Sequence, residues 1–426
     1  MLKVLFIAVI LCLIINMPIG FSLGLASVAA LFVDGNTAQM LLIPQRIVAG
    51  MNSFPLLAIV YFMIAGAVME LGGVSKRIIS LASAFVGHKQ GGVASAAVIS
   101  CAIFAAISGS TPATAAAIGS ITIPEMDKRG YPTDYSSAVV ASSACLGVII
   151  PPSITMVVFA NTCGTSVGQG LMAGIIPGII LCAALCFTNW LFCRKAGYEV
   201  EPKCSHREVW LALKEAFWAI LMPVIILGGI MSGFFTPTES AAIAILYGLV
   251  VGFFVYRELK VKDLGNLFYK GALNSAMIMI LIGCSSPFGY IMTTNKVPEM
   301  FSNFILGISS NYYVVYGLVL VIFLILGTFM ETSSIILLTV PIMTPIMRAI
   351  GANMVHFACV GVIALAIGMA TPPVGISLFA TCGISKVTMG QISRKVWPFL
   401  LVMVLCLFLF MAFPGLCTFL PSIMFD

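Results

Sequence analysis

The stretch GSTPATAAAIGSITIPEM, residues 109–126, followed by GVIIPPSITMVVFANTCG, residues 147–164, decides the fold of this chain. Both are apolar enough to sit in a membrane, yet both carry residues that an unbroken helix avoids. Pro151-Pro152 removes two backbone donors and blocks α geometry just before it. Ser108-Gly109-Ser110-Thr111-Pro112 interrupts the apolar run 92–123. The same grammar returns as TFMETSSIILLTVPIMTP at 328–345 and GMATPPVGISLFATCG at 368–383. Thr111 stands thirteen residues before Pro124, and Thr328 thirteen before Pro341. A Pro-Pro pair follows in each half, then Phe-Ala and Thr-Cys-Gly, at offsets of 217 to 221 residues. Several matches in one order indicate an internal duplication.

Composition fixes the solvent. Hydrophobic residues make up 61% of the 426 and charged ones 8%, with a mean hydropathy of +1.12. A soluble helical core would need polar helix faces, and 311–346 and 355–384 have none. The chain therefore belongs in a bilayer. Its net charge of +6 sits in short loops between apolar runs, which points to membrane sidedness rather than to a nucleic-acid partner. The 13 cysteines form no CxxC pair, and His88, His206 and His356 have no ligand spacing. These exclude a metal cluster, a redox pair and a histidine catalyst. No nucleotide-binding or hydrolase motif occurs, so the chain does not read as an enzyme. Residues 1–30 read as a retained first helix. The region 4–46 is either one long tilted helix or a hairpin broken at Met17-Pro18-Ile19-Gly20.

Irregular backbone at membrane depth must be shielded by protein or line a hydrated cavity. A span needs about twenty residues. The arms on either side of Ser108–Pro112 and of Gly327-Thr328-Phe329-Met330-Glu331 have about twelve to fifteen apolar residues. They predict re-entrant hairpins; ordinary transmembrane hairpins are the alternative. Lys76, Arg77, Lys89, Lys128 and Arg129 flank the first, while only Lys296 and Arg348 flank the second. The bias puts their mouths on opposite faces. The predicted fold is an all-α polytopic membrane protein with inverted repeats, two re-entrant helical hairpins and two broken helices. The first repeat covers 1–193, with its hairpin at about 92–123 and broken helix at 138–162. A basic linker with an interfacial helix covers 194–215. The second repeat covers 216–426, with its hairpin at about 311–346 and broken helix at 355–384.

The breaks suggest chemistry. The carbonyls of Val148 to Ile150 and of Met369 to Thr371 lose their helical donors, beside the hydroxyls of Ser153, Thr155, Thr371 and Ser377. Neutral oxygens suit a hard monovalent cation such as sodium, whereas calcium wants carboxylates. A proline kink satisfied by Ser, Thr or water is the plainer alternative. At the first tip Thr111 suits an N-cap and Pro112 the first helical turn. Ser110, Thr111 and Thr114 then offer amides and hydroxyls to a carboxylate or sulfonate. No Lys or Arg lies inside an apolar run to do this instead. Among the acids, Glu331 lies nearest mid-membrane and either caps the helix after it, carries a proton or attracts the cation. Glu239 lies in a Thr-Pro-Thr-Glu-Ser turn, and Glu70 and Glu125 read as interfacial.

These elements, with Asn52-Ser53-Phe54-Pro55-Leu56-Leu57-Ala58-Ile59 and Ala65-Gly66, carry a resemblance over nearly the whole chain. It resembles the large membrane subunit, DctM-like, of the tripartite ATP-independent periplasmic (TRAP) transporters. The resemblance implies an elevator mechanism within the ion-transporter superfamily, with no cofactor and sodium as coupling ion. It frames one sodium site by Ser108, Gly109 and Thr111 with Val148, Ile150 and Ser153. It frames the other by Gly327, Thr328, Glu331 and Thr332 with Met369 and Thr371. The substrate then falls to Ser110, Thr111, Thr114, Ser153, Thr155, Thr371, Gly375 and Ser377. The implied cargo is a small organic anion: a carboxylate, sugar acid or sulfonate. The implied partners are a small four-helix membrane subunit (DctQ-like), here a separate chain, and a periplasmic substrate-binding protein (DctP-like), in a bacterial inner membrane. A stand-alone transporter or exporter of the same superfamily is the alternative; a membrane-embedded enzyme and a channel fit less well.

Overall fold

The computed structural model describes residues 1–15, 17–35, 37–196, 198 and 203–425. Residues 197 and 199–202 of the expected linker lie outside the described residues. Among the described residues there are helices and no strand, and seven helical stretches are long and apolar enough to cross a membrane.

The chain opens with α1 (Leu2–Ile14) and α2 (Ile19–Val33), a hairpin whose bend is Pro18, which resolves the region 4–46. Then come α3 (Leu42–Met51), α4 (Phe54–Leu71) and α5 (Val74–Val86). The first re-entrant hairpin is α6 (Gly92–Ser108) and α7 (Thr111–Lys128). The first broken helix is α8 (Thr133–Ser143), a 3-10 turn at Ala144–Val148, and α9 (Ile154–Cys163). The repeat closes with α10 (Val167–Ala173) and α11 (Ile175–Ala196). In the second half, α12 (His206–Met231), α13 (Pro237–Val250), α14 (Leu264–Thr294) and α15 (Val297–Ile308) precede the second hairpin, α16 (Tyr312–Gly327) and α17 (Thr332–Ala349). The second broken helix is α18 (Met354–Met369) and α19 (Ile376–Ser385), and α20 (Met389–Ala412) and α21 (Gly415–Phe425) end the fold.

Two expectations change. The interfacial helix expected at the end of 194–215 is instead the first turns of α12, started at Ser205 by a capping box with Glu208. The hairpin arms have 16 to 18 residues rather than twelve to fifteen. Their helices run past the apolar stretch into the polar mouths, to Lys128 and to Ala349. At 1.5 Å per residue such arms reach ~24–27 Å, short of a ~30 Å core. Their tips lie inside the bundle, against the breaks.

Burial explains the centre. From Val355 to Met369 every residue of α18 is buried, as is every residue from Tyr135 to Ser143 of α8. A helix without a polar face can serve only as core. Cys145 Sγ donates to the carbonyl of Ala366 (2.9 Å), and Ser377 Oγ to that of Ala141 (2.5 Å), so the two broken helices cross. Around them the repeats interlock: α7 packs on α19, and α17 on α9. Phe159 of α9 meets Phe323 of α16 and Phe357 of α18 edge-on, with centroids 6.1 and 5.2 Å away. His356 belongs to this core: Nδ1 pairs with the Tyr316 hydroxyl (3.1 Å) and Nε2 with the Phe410 carbonyl (3.0 Å), a packing role.

Candidate substrate and ion site

Each hairpin tip docks on the break of its own repeat. Gly109 ends α6 in the left-handed region (φ +62°), which a glycine adopts without strain. A Cβ on it would stand 2.6 Å from the Pro152 carbonyl oxygen. Gly147, in the 3-10 turn, faces the same tip: a Cβ there would lie 2.7 Å from Ser110 O and 2.8 Å from Thr114 Oγ1. In the second repeat the Gly375 amide donates to the Thr328 carbonyl (3.0 Å), tying break to tip. Both Pro-Pro bonds are cis.

The structure also corrects the alignment of the repeats. Thr111 is the first residue of α7, and its counterpart is Thr332, the first residue of α17, at an offset of 221. Gly147 and Gly368, Pro151 and Pro372, and Pro124 and Pro345 share that offset. Thr328, paired with Thr111 by its distance from Pro341, instead caps the end of α16. The thirteen-residue spacing occurs twice in the second half, Thr328 to Pro341 and Thr332 to Pro345, and the second of these is the structural match.

In the first site most predicted groups already have partners. Ser153 caps α9: its Oγ accepts from the Met156 amide (3.1 Å) and donates to the Val148 carbonyl (2.5 Å). One predicted free carbonyl is thereby occupied. Thr114 Oγ1 donates to Ser110 O (2.8 Å) and shares a bond with Ser108 Oγ (2.9 Å). Ser110, not Thr111, is the N-cap of α7, and it makes no side-chain cap bond. Thr111 is fully buried and its hydroxyl has no partner among the described residues. The Ile150 carbonyl likewise receives no backbone donor there.

The second site is less enclosed. Gly327, Thr328, Thr332, Met369 and Gly375 are buried, but Phe329, Glu331, Pro373 and Val374 are exposed beside them. The carbonyls of Met369 and Thr371 each lie 3.1 Å from the point where a Gly375 Cβ would sit, and neither receives a backbone donor among the described residues. Thr371 Oγ1 donates back to Ile367 O (2.8 Å). Glu331 is the N-cap of α17: Oε2 accepts from the Ser334 amide (3.2 Å), and Oε1 from the Thr332 (2.9 Å) and Ser333 (3.1 Å) hydroxyls. Thr155 Oγ1 lies 3.3 Å from Thr332 Oγ1, joining the sites across the repeats. Ser377, bonded to Ala141, lies in the helix crossing.

Sequence reasoning named Gly109, Gly327 and Gly375 but missed the contacts of Gly147 and Gly368. The signal was present, since Gly147 and Gly368 open the two Pro-Pro motifs. It gave no site role to Gly66, on α4, where a Cβ would lie 3.6 Å from Ser108 Cα; there α4 touches the first tip. Glu239 completes a capping box with Thr236 at the start of α13.

Comparison with known proteins agrees with this architecture. The crystal structure of the YdaH transporter of Alcanivorax borkumensis superposes with a TM-score of 0.65, covering 89% of each chain at 13% identity, a likeness of fold. The C4-dicarboxylate TRAP transporter large permease protein DctM of Rhodobacter capsulatus is 36% identical over 435 residues, 99% of each chain. The isethionate TRAP transporter permease protein DctMQ of Oleidesulfovibrio alaskensis is 40% identical over 403 residues, 94% of this chain and 63% of that one. Residues 6–416 match the model of the family described as the tripartite ATP-independent periplasmic transporter, DctM component. This chain, with its paired tips and breaks, belongs to that family of membrane permeases.

Proposed function

We propose that this permease is the membrane-spanning part of a sodium-coupled importer that takes a small organic anion from a periplasmic binding protein. The observation that carries the reading is the second break, where the Met369 and Thr371 carbonyls converge beside Gly375 without backbone donors. Neutral oxygens of this kind suit sodium, the co-transported ion, and no carboxylate cage for a divalent cation accompanies them. The partnerless hydroxyl of Thr111 supports a second ligand position at the first tip. The free amides at the start of α7 suit the negative end of the cargo, held there without a cationic side chain. Holding the anion by amides and hydroxyls alone favours release.

The packing supports a reading of alternating access by an elevator. Both hairpins and both broken helices form one body through the α8–α19 packing, the contact of the 3-10 turn Ala144–Val148 with α18, and the α7–α19 and α17–α9 contacts. Helices α1–α5 and α12–α15 are the scaffold in this proposal, and the body slides along α4 and α14. A small membrane subunit and a periplasmic binding protein complete the transporter, in the bacterial inner membrane. The relative named DctMQ, of which this chain spans 63%, favours the extra subunit.

The test is uptake into proteoliposomes holding the complete complex, with the binding protein outside. Isethionate and C4-dicarboxylates, named for relatives, open the substrate screen. Uptake is expected to need an inward sodium gradient and no ATP. Equal uptake with choline replacing sodium overturns the coupling.

A further inference from the structure

One cavity opens beside the second tip. It is a crevice of about 920 Å³ between α11, α16 and α20. That is near the upper end of the ~300–1,000 Å³ typical of small-molecule sites. Its walls are apolar, including Phe187, Phe192, Ile325, Trp397, Leu401 and Leu405. Its polar groups are few, and Thr328 and Thr371 place it against the second tip and break. The crevice exists because α16 stops at Gly327 while α11 and α20 run on as full spans of 22 and 24 residues.

Charge identifies an occupant. The ring pair Phe192–Phe399, with centroids 6.3 Å apart, fixes the register of α11 against α20. Just beyond Phe192 stand Arg194 and Lys195, and just before Trp397 stand Arg394 and Lys395. All four are exposed, and none has a carboxylate in ion-pair distance among the described residues. Trp190, with the Arg194 guanidinium 5.4 Å from its ring centre, and the exposed Trp397 mark a membrane–water interface at this end. By the loop bias this end is cytoplasmic. An apolar slot whose walls on α11 and α20 lead, within a turn of Phe192 and of Trp397, to four exposed cations has the form of a lipid site rather than a solute site.

We propose that the crevice binds an anionic diacyl phospholipid, with an acyl chain along Leu401 and Leu405 toward Thr328 and Thr371 and its phosphate on Arg194, Lys195, Arg394 and Lys395. The bound chain backs the second hairpin tip. The inference stands apart from sodium coupling, because its readout is binding and stability rather than transport.

The experiment uses the purified, delipidated chain in mild detergent, supplied with dioleoyl phosphatidylglycerol or dioleoyl phosphatidylcholine and read by native mass spectrometry and thermal unfolding. Wild type is expected to retain phosphatidylglycerol about tenfold better than phosphatidylcholine and to melt higher with it. The pairs Arg394→Gln/Lys395→Gln and Arg194→Gln/Lys195→Gln, tested separately, are each expected to lose most of that preference. Leu405→Trp, which fills the slot, is expected to lose retention of both lipids. Lys260→Gln/Lys262→Gln, in a basic loop away from the slot, keeps wild-type behaviour. Equal retention of the two lipids by wild type overturns the proposal, as does unchanged phosphatidylglycerol binding in both Gln pairs. An equal rise in melting temperature with glycerol 3-phosphate alone would reassign the four cations to a headgroup or free phosphate without the crevice.

Discussion

A Cβ on Gly368 would stand 2.6 Å from the Cα of Gly327 and 2.8 Å from the carbonyl of Leu324. The second tip and the helix before the second break therefore meet backbone to backbone. The equivalent Gly147 meets Ser110 O and Thr114 Oγ1 at 2.7 and 2.8 Å. A methyl group at either position must push the tip off its break, since backbone cannot yield as a side chain can. Removing a helical glycine stabilises by only ~1 kcal/mol, while overpacking a rigid contact costs about 1–3 kcal/mol. Gly368→Ala and Gly147→Ala are expected to lower the melting temperature and cut uptake at least tenfold. Gly317→Ala, on the same α16 with its nearest neighbour 4.0 Å away, is the control and should melt at or above wild type.

Thr111→Val should separate function from stability. The hydroxyl caps nothing and has no partner among the described residues, so its loss breaks no bond there. An unsatisfied buried polar group costs about 1–3 kcal/mol, and valine fills nearly the same volume. Thermal unfolding without sodium is expected to be unchanged or higher. If Thr111 contributes a ligand, half-maximal uptake shifts to several-fold higher sodium. Ser153→Ala should behave in the opposite way, since it strips the α9 cap and the Val148 partner and lowers stability by about 1–2 kcal/mol. Thermal unfolding across sodium concentrations checks both variants together.

What the sequence made legible follows from physics that is local. Pro-Pro pairs and Gly-Ser-Thr-Pro tips announce breaks because proline and glycine act on their own backbone. Apolar length announces spans because the bilayer is the solvent. The crossing of the two broken helices was not legible, because Ser377–Ala141 and Cys145–Ala366 join residues more than 220 positions apart, and either serine or cysteine reads locally as ordinary packing. The exchange of partners between repeats, α7 on α19 and α17 on α9, is hidden for the same reason. Thr111 shows the opposite failure: a residue type favoured at caps stood one position past the cap. The false pairing of Thr111 with Thr328 arose because Thr328–Pro341 and Thr332–Pro345 have the same spacing, and a motif distance cannot choose between them.

Glu331→Gln distinguishes capping from proton carriage. Glutamine keeps an oxygen for the Ser334 amide and for one of the neighbouring hydroxyls but cannot titrate. If Glu331 serves only as the α17 cap, Glu331→Gln retains sodium-driven uptake with the wild-type pH profile. Glu331→Ala then loses about 1 kcal/mol of stability with the cap. A pH profile flattened in Glu331→Gln, with the melting temperature unchanged, would instead make the carboxyl a proton carrier.

Arg348 fixes one end of the fold to another and makes the inversion testable. Its Nη2 donates to the Cys163 carbonyl (3.0 Å), so the mouth of the second hairpin and the far end of the first broken helix lie at the same end. The turn after Cys163 carries no charge, whereas Lys128 and Arg129 close the mouth of the first hairpin. Cationic loops stay cytoplasmic. Lys128 should therefore face the cytoplasm, and Arg348 and Ser166 the periplasm; all three are exposed. Lys128→Cys, Arg348→Cys and Ser166→Cys, each read above wild-type background, are to be labelled with a membrane-impermeant maleimide in right-side-out and inverted vesicles. Lys128→Cys is expected to react only in inverted vesicles, and the other two only in right-side-out ones. Arg348→Cys and Ser166→Cys must agree, since the wild-type Arg348–Cys163 bond places their segments at the same end of the fold. Should Lys128→Cys join them on one side, the hairpins enter from the same face. The two breaks would then no longer be equivalent, and the symmetry argument for paired sodium sites would fail with them.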